Sequence, residues 1–228
     1  MSRVLPILFN TEMVRAILDE RKTATRRIAK GIASYSENGD FTAMINGEWT
    51  GPVSMEDLVK LKSKYQPGDI LYVRETWQYL YELDGNDQII EGTGMYYYAA
   101  TDELPFGAYV DSAGIEHQSV PWRPSIHMPK DAARIWLRVT DVWFERLHDM
   151  TLDDFLNEGV VIRPEAFNDP ENAYQQAKNV FINIWDPTVK KTERDLYGWD
   201  ADPYVLATEF ERCEKPESSI ISEGSGGK

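Results

Sequence analysis

The feature that most constrains the fold is RIWLRVTDVWFERL, residues 134 to 147. It is the longest strand candidate in the chain. A strand of that length outruns the five or six residues usual in globular sheets, so it must bend or twist around something, as in a small barrel. Other segments read as its partners. VLPILF, Val4 to Phe9, is a short apolar run with the pattern of a buried strand. ILYVRETW, residues 70 to 77, and MYYYAA, residues 95 to 100, read as further strands, and PYVLATEFERC, residues 203 to 213, closes the set.

Helical segments are interleaved with these strands. TEMVRAILDE puts Met13, Ile17 and Leu18 on one face, with Thr11 suited to the N-cap and Glu12 to the first turn. Residues 31 to 53 are rich in Gly, Ser and Asn and read as a long loop or a loose hairpin. SMEDLVKLKSK has Ser54 to cap it and Met55, Leu58 and Leu61 at helical spacing. QPGD, Gln66 to Asp69, is a turn signal. TLDDFLNEG reads as a short helix from a Thr151 cap to a Gly159 stop, and NAYQQAKNVFINIWD as a longer amphipathic one. There is no regular βαβ alternation, so the expected class is α+β with a mostly antiparallel curved sheet. One domain is expected over 1–213, with an insertion at about 31–64 and a disordered tail over 214–228.

The basic stretch RKTATRR, Arg21 to Arg27, is anomalous. It holds four cationic side chains and two threonines in a chain of formal net charge -14. Placed at the end of the first helix, the cations would suit its C-terminal dipole. The acidic balance argues against broad coverage of nucleic acid, which rests on neutralising phosphates. A local basic pocket for one nucleotide or a short single strand stays open. The single cysteine, Cys213, excludes an internal disulfide and a cysteine-built zinc site and fits a reducing, cytoplasmic setting. No segment approaches the roughly 20 apolar residues of a membrane helix, and MSRVLPILFN lacks the apolar region of a secretory signal, so no membrane partner is expected.

In order and spacing, Arg21, Lys22, Thr23, Thr25 and Arg26, followed by Pro67, Gly68, Asp69, Val73, Arg74, Glu75 and Trp77, resemble the ASCH domain of the PUA-like superfamily of small β-barrels. WRPSIHMP and the strand ending in ERL look like the longer ASCH proteins of phages and prophages. The resemblance runs from about Val4 to Cys213. It implies a curved, mainly antiparallel PUA-like barrel with flanking helices, and a link to RNA. One bacterial branch of the family is an amidohydrolase that deacetylates 4-acetylcytidine with a lysine, a threonine three residues later and a distant glutamate. By that resemblance the catalytic set falls on Lys22, Thr25 and Glu158, with Asp153 and Asp154 close to the last.

Amide hydrolysis needs a nucleophile, a proton acceptor and a stabiliser for the oxyanion. A threonine hydroxyl needs a base, and a lysine serves as one only when its pKa falls; the neighbouring Arg21, Arg26 and Arg27 would lower it by like-charge repulsion. Arg21 and Arg26 are candidates to bind substrate. So are Arg74 and Glu75, which face opposite ways in a regular strand, Trp77, Tyr97 as a stacking surface, and His127 between its prolines. His117 and His148 show no metal-ligand spacing, and Asp153, Asp154 and Glu158 read as an acidic helix start, so neither a metal nor a cofactor is expected. The leading reading is an amidohydrolase acting on an acylated cytidine-like nucleoside. The alternatives are a non-catalytic reader of RNA or modified nucleic acid, and an acidic phage protein that binds a host protein.

Overall fold

The computed structural model describes residues 2–34, 40–82, 84–86, 88–104, 109–110, 116–117 and 120–217. Its strands are β1 (Val4–Leu8), β2 (Ala24–Ile28), β3 (Ile32–Ser34), β4 (Phe41–Ile45), β5 (Glu48–Trp49), β6 (Ile70–Arg74), β7 (Trp77–Leu80), β8 (Met95–Tyr98), β9 (Tyr109–Val110), β10 (Glu116–His117), β11 (Trp136–Arg146) and β12 (Tyr204–Cys213). Its α-helices are α1 (Thr11–Leu18), α2 (Met55–Lys62), α3 (Leu152–Asn157), α4 (Pro170–Trp185) and α5 (Arg194–Tyr197). Of the tail expected to be disordered, residues 218–228 lie outside the described residues.

The central sheet runs β1-β6-β11-β12-β2. Only β1 and β6 pair in parallel; the other three pairings are antiparallel. The class is therefore α+β with a mainly antiparallel sheet. The sheet is open among the described residues, with β1 and β2 at its ends, so the closed barrel is not seen there. The long strand β11 is the spine, pairing with β6 along its first residues and with β12 along its length, with a register shift between Val139 and Asp141. Such an irregularity bends a strand and increases its twist.

Three segments differ from the sequence reading. Residues 31–53, read as a long loop or a loose hairpin, extend the hairpin alternative: β3, β4 and β5 form a three-stranded antiparallel sheet. It packs with α2, whose Leu58 and Val59 are buried with Leu71, Val139 and Phe144 in the main core. The stretch 70–77 breaks into β6 and β7, because β7 leaves the central sheet to pair with β8. The first helix is capped by Asn10, whose side chain accepts from the Met13 N–H, so Thr11 is its first residue. The helix also stops before the basic stretch. Glu20 takes a left-handed φ of 61°, and the N–H groups of Arg21 and Lys22 both donate back to Ala16 C=O. Ala24–Ile28 then continues as β2, so the cations belong to a sheet edge and not to a helix end.

The opposite face of the sheet carries a second core. Phe155 of α3 is fully buried against Tyr174 and Phe181 of α4 and against Trp199. Burying such a ring contributes roughly 1.5–3 kcal/mol. The α3 helix starts at a Thr151 capping box closed by Asp154, and α4 at an Asp169 cap followed by Pro170. Pro170 suits that place, where its missing N–H leaves no hydrogen bond unmade.

Candidate functional site

The return from α1 to β2 brings Lys22 against the end of α3. Lys22 and Glu158 form an antiparallel bridge, and the Thr23 N–H donates to Asn157 C=O at 2.8 Å. Gly159 makes this approach possible. Its φ is 92°, and a Cβ there would lie 2.9 Å from Ala16 Cβ and 3.2 Å from Lys22 Cβ. Only glycine meets both requirements without strain.

Lys22 has no exposed side-chain surface and Glu158 only 7 %. The Lys22 ammonium donates to Glu158 Oε2 at 2.6 Å, Ala24 C=O at 2.8 Å and Glu158 C=O at 3.0 Å. Phe9 covers it, with the ring centroid 5.7 Å away. Burial lowers the pKa of Lys22 from its ordinary value; Glu158 opposes this, and Arg26 and Arg27 add smaller downward pushes. The direction is the one expected from the sequence, but desolvation outranks the like-charge repulsion.

Arg26, also fully buried at its side chain, reaches three carboxylates. Nε donates to Glu145 Oε1 at 2.6 Å and Nη2 to Asp154 Oδ1 at 2.5 Å, while Nη1 stands 3.7 Å from Glu158 Oε1. Burial works against the charge of Arg26, but Glu145, Glu158 and Asp154 outweigh it and hold its pKa above normal. Burial likewise opposes the charge of Asp154, and its bonds to Thr151, with Arg26, keep its pKa below normal. The two buried cations therefore face three carboxylates supplied by β11 and α3. A buried charge must be paired, which is the physical reason for cations here in an acidic chain.

Two buried polar atoms of this cluster have no hydrogen-bond partner among the described residues: Arg26 Nη1, a donor, and Glu158 Oε1, an acceptor. Both residues line a cavity of about 360 Å³. Leu8, Phe9, Asn10 and Met13 form one side, Thr25 to Ile28 the second, and Phe181, Ile184, Trp185 and Thr188 of α4 and its exit the third. Thr25 is 4 % exposed, and its hydroxyl has no hydrogen-bond partner among the described residues. In volume and in its mixed lining the cavity matches a small-molecule pocket.

The structure thus puts Thr25, Arg26 and Glu158 on one cavity, and ties Lys22 to them through Glu158, although Lys22 itself borders a separate pocket with Thr23 and Phe210. It sets the other candidates apart from the cavity. Arg21 lies outside it, donating to Gly159 C=O and pairing with Asp19. Arg74 donates to the Ile126 and Met128 carbonyls, bracing the 3-10 turn that contains the exposed His127. Glu75, 1 % exposed, takes both Nε and Nη2 of Arg134 at 3.0 Å. Trp77 is buried in a third core, with Arg123 5.3 Å from its ring, and Tyr97 is half-buried on β8 opposite Gln78. Sequence reasoning did not single out Glu145 or the α4 wall. The segment reads as an amphipathic helix, but that pattern carries no signal for the cavity beside Phe181 and Trp185. No three-residue group of His, Cys, Asp or Glu able to hold a metal occurs among the described residues, and no described helix is long and apolar enough to cross a membrane.

The chain matches no family model, and no curated protein or solved structure is significantly similar to it.

Proposed function

We propose that this chain is a nucleoside- or nucleotide-recognising protein of the ASCH group. In this reading its curved sheet corresponds to the PUA-like barrel, and it works in the cytoplasm to remove an acyl group from the exocyclic amine of a modified cytidine. The observation that carries the reading is the buried Lys22–Glu158 pair, 2.6 Å apart, whose Glu158 lines the same cavity as Thr25. Desolvation favours the neutral amine of Lys22, the form a general base requires.

The deprotonated fraction of Lys22 takes the Thr25 hydroxyl proton as Thr25 Oγ1 bonds the acyl carbon. Arg26 Nη1 is the donor free to hold the resulting oxyanion. The C–N bond breaks, Lys22 returns the proton to the amine nitrogen, and the nucleoside leaves. Water then attacks the acyl-threonine ester. Its proton passes through Lys22 to Thr25 Oγ1, and the carboxylic acid is released. Amide plus water gives amine plus acid, with Glu158 orienting Lys22 throughout.

One observation favours a second reading, a non-catalytic reader of modified nucleic acid. Every Lys22 donor is already used, and no hydrogen bond joins Lys22 to Thr25 among the described residues. Catalysis requires that geometry to tighten when substrate binds.

The test is turnover of 4-acetylcytidine to cytidine, followed by chromatography, with Lys22→Ala and Thr25→Ala variants confirmed as folded. Loss of about 10²–10⁴-fold in both supports the hydrolase. Absence of turnover in folded wild type refutes it, and salt-dependent binding of short single-stranded RNA then becomes the decisive assay.

A further inference from the structure

Four consecutive residues of β2, Thr25 to Ile28, line the cavity. Strand side chains alternate between faces, so four in a row border one space only when it runs along the strand's edge. One edge of β2 is taken by β12, in unbroken register from Ala24–Glu209 to Ile28–Val205. The parity of that ladder is set at its two ends. Phe210 N–H donates to Thr23 C=O, and Ala29 N–H donates to Tyr204 C=O. Residues 23, 25, 27 and 29 therefore turn their main-chain groups toward β12, and 24, 26 and 28 turn theirs outward.

Ala24 C=O is already taken by Lys22 Nζ. The outward N–H and C=O groups of Arg26 and Ile28 find no partner among the described residues. Main-chain groups facing a cavity in this way are obligatory hydrogen-bonding sites awaiting water or a ligand. Arg26 and Glu158, which carry the buried and unpartnered Nη1 and Oε1, line the same space.

We propose that this free edge of β2 reads the base: a heteroaromatic ring lies in the plane of the strand, accepting from Ile28 N–H and donating to Arg26 C=O. Such an edge selects rings with an adjacent acceptor and donor, the pattern of cytosine N3 and its exocyclic amine. An acylated amine keeps one N–H and still fits. The apolar Phe181, Ile184 and Trp185 suit the faces of such a ring. The proposal rests on the reading that the cavity takes a nucleoside, and adds that backbone, rather than a side chain, specifies the base.

Calorimetric titration tests it with cytidine, 3-methylcytidine, which blocks the acceptor, and N4,N4-dimethylcytidine, which removes the donor. Wild type should bind cytidine and lose about tenfold or more toward each methylated form, because a site built to hydrogen-bond a group rejects the analogue lacking it. Ile28→Pro deletes the outward N–H without costing a ladder bond, since proline is tolerated where the missing donor faces away from the sheet. It should weaken cytidine binding about tenfold, and Ile28→Val should not. If Ile28→Pro fails to fold, the methylated nucleosides decide alone. Equal binding of all three nucleosides overturns edge reading and leaves the nucleoside site standing. Binding of none overturns both.

Discussion

Replacing Lys22 with methionine removes a charge and keeps most of the side chain's bulk. Glu158 Oε2 loses a partner 2.6 Å away, and the carbonyls of Ala24 and Glu158 lose their donor. Breaking a buried ion pair from one side costs about 3–5 kcal/mol, because the remaining charge stays buried and uncompensated. Two effects pull toward the low end. Methionine escapes the desolvation that lowers the pKa of Lys22, and Arg26 Nη1 remains 3.7 Å from Glu158 Oε1. The expected loss is therefore about 3 kcal/mol at pH 7.5, relative to wild type. The assay is urea unfolding followed by tryptophan fluorescence, for Lys22→Met, Glu158→Leu and the double variant, at pH 7.5. The double variant should recover most of the loss, since an apolar pair of similar volume often replaces a buried ion pair at little cost. A Lys22→Met protein as stable as wild type at pH 7.5, with no coupling to Glu158→Leu, would refute the buried-pair account.

Two further tests probe the frame of the site. Gly159→Ala should destabilise the protein by about 2–4 kcal/mol, read as a drop in the unfolding midpoint, because it adds a left-handed alanine and a Cβ 2.9 Å from Ala16 Cβ; a loss under 0.5 kcal/mol would refute the close approach. Asp154 has a pKa held below its ordinary value of 3.8, so below about pH 4 the unfolded chain binds more protons than the native one and stability falls with pH; Asp154→Asn should flatten that acid limb in a urea series from pH 5 to pH 2.5, and an unchanged slope would remove Asp154 from the acid response.

The chain's local chemistry was largely legible from its residues. Ser54 and Thr151 cap the helices expected of them, and Gly159 takes the left-handed turn expected of a helix stop. The β11 and β12 segments are long enough, and rich enough in apolar residues, to specify strands without help from their partners. These features depend on neighbours within a few residues, which is the range over which side-chain pattern and capping act. Tertiary structure decided the rest. The basic stretch reads as the end of the first helix until Glu20 turns left-handed and β12 supplies a ladder. Residues 31–53 read as a long loop or a loose hairpin until β3, β4 and β5 pair as a sheet. Lys22 and Arg26 announce unpaired cations, but their carboxylates come from residues 145, 154 and 158, more than a hundred positions away. The wall of α4 over the cavity comes from farther still. A sequence states which charges must be buried or solvated; which of them meet depends on chain reversals and packing that no local pattern encodes.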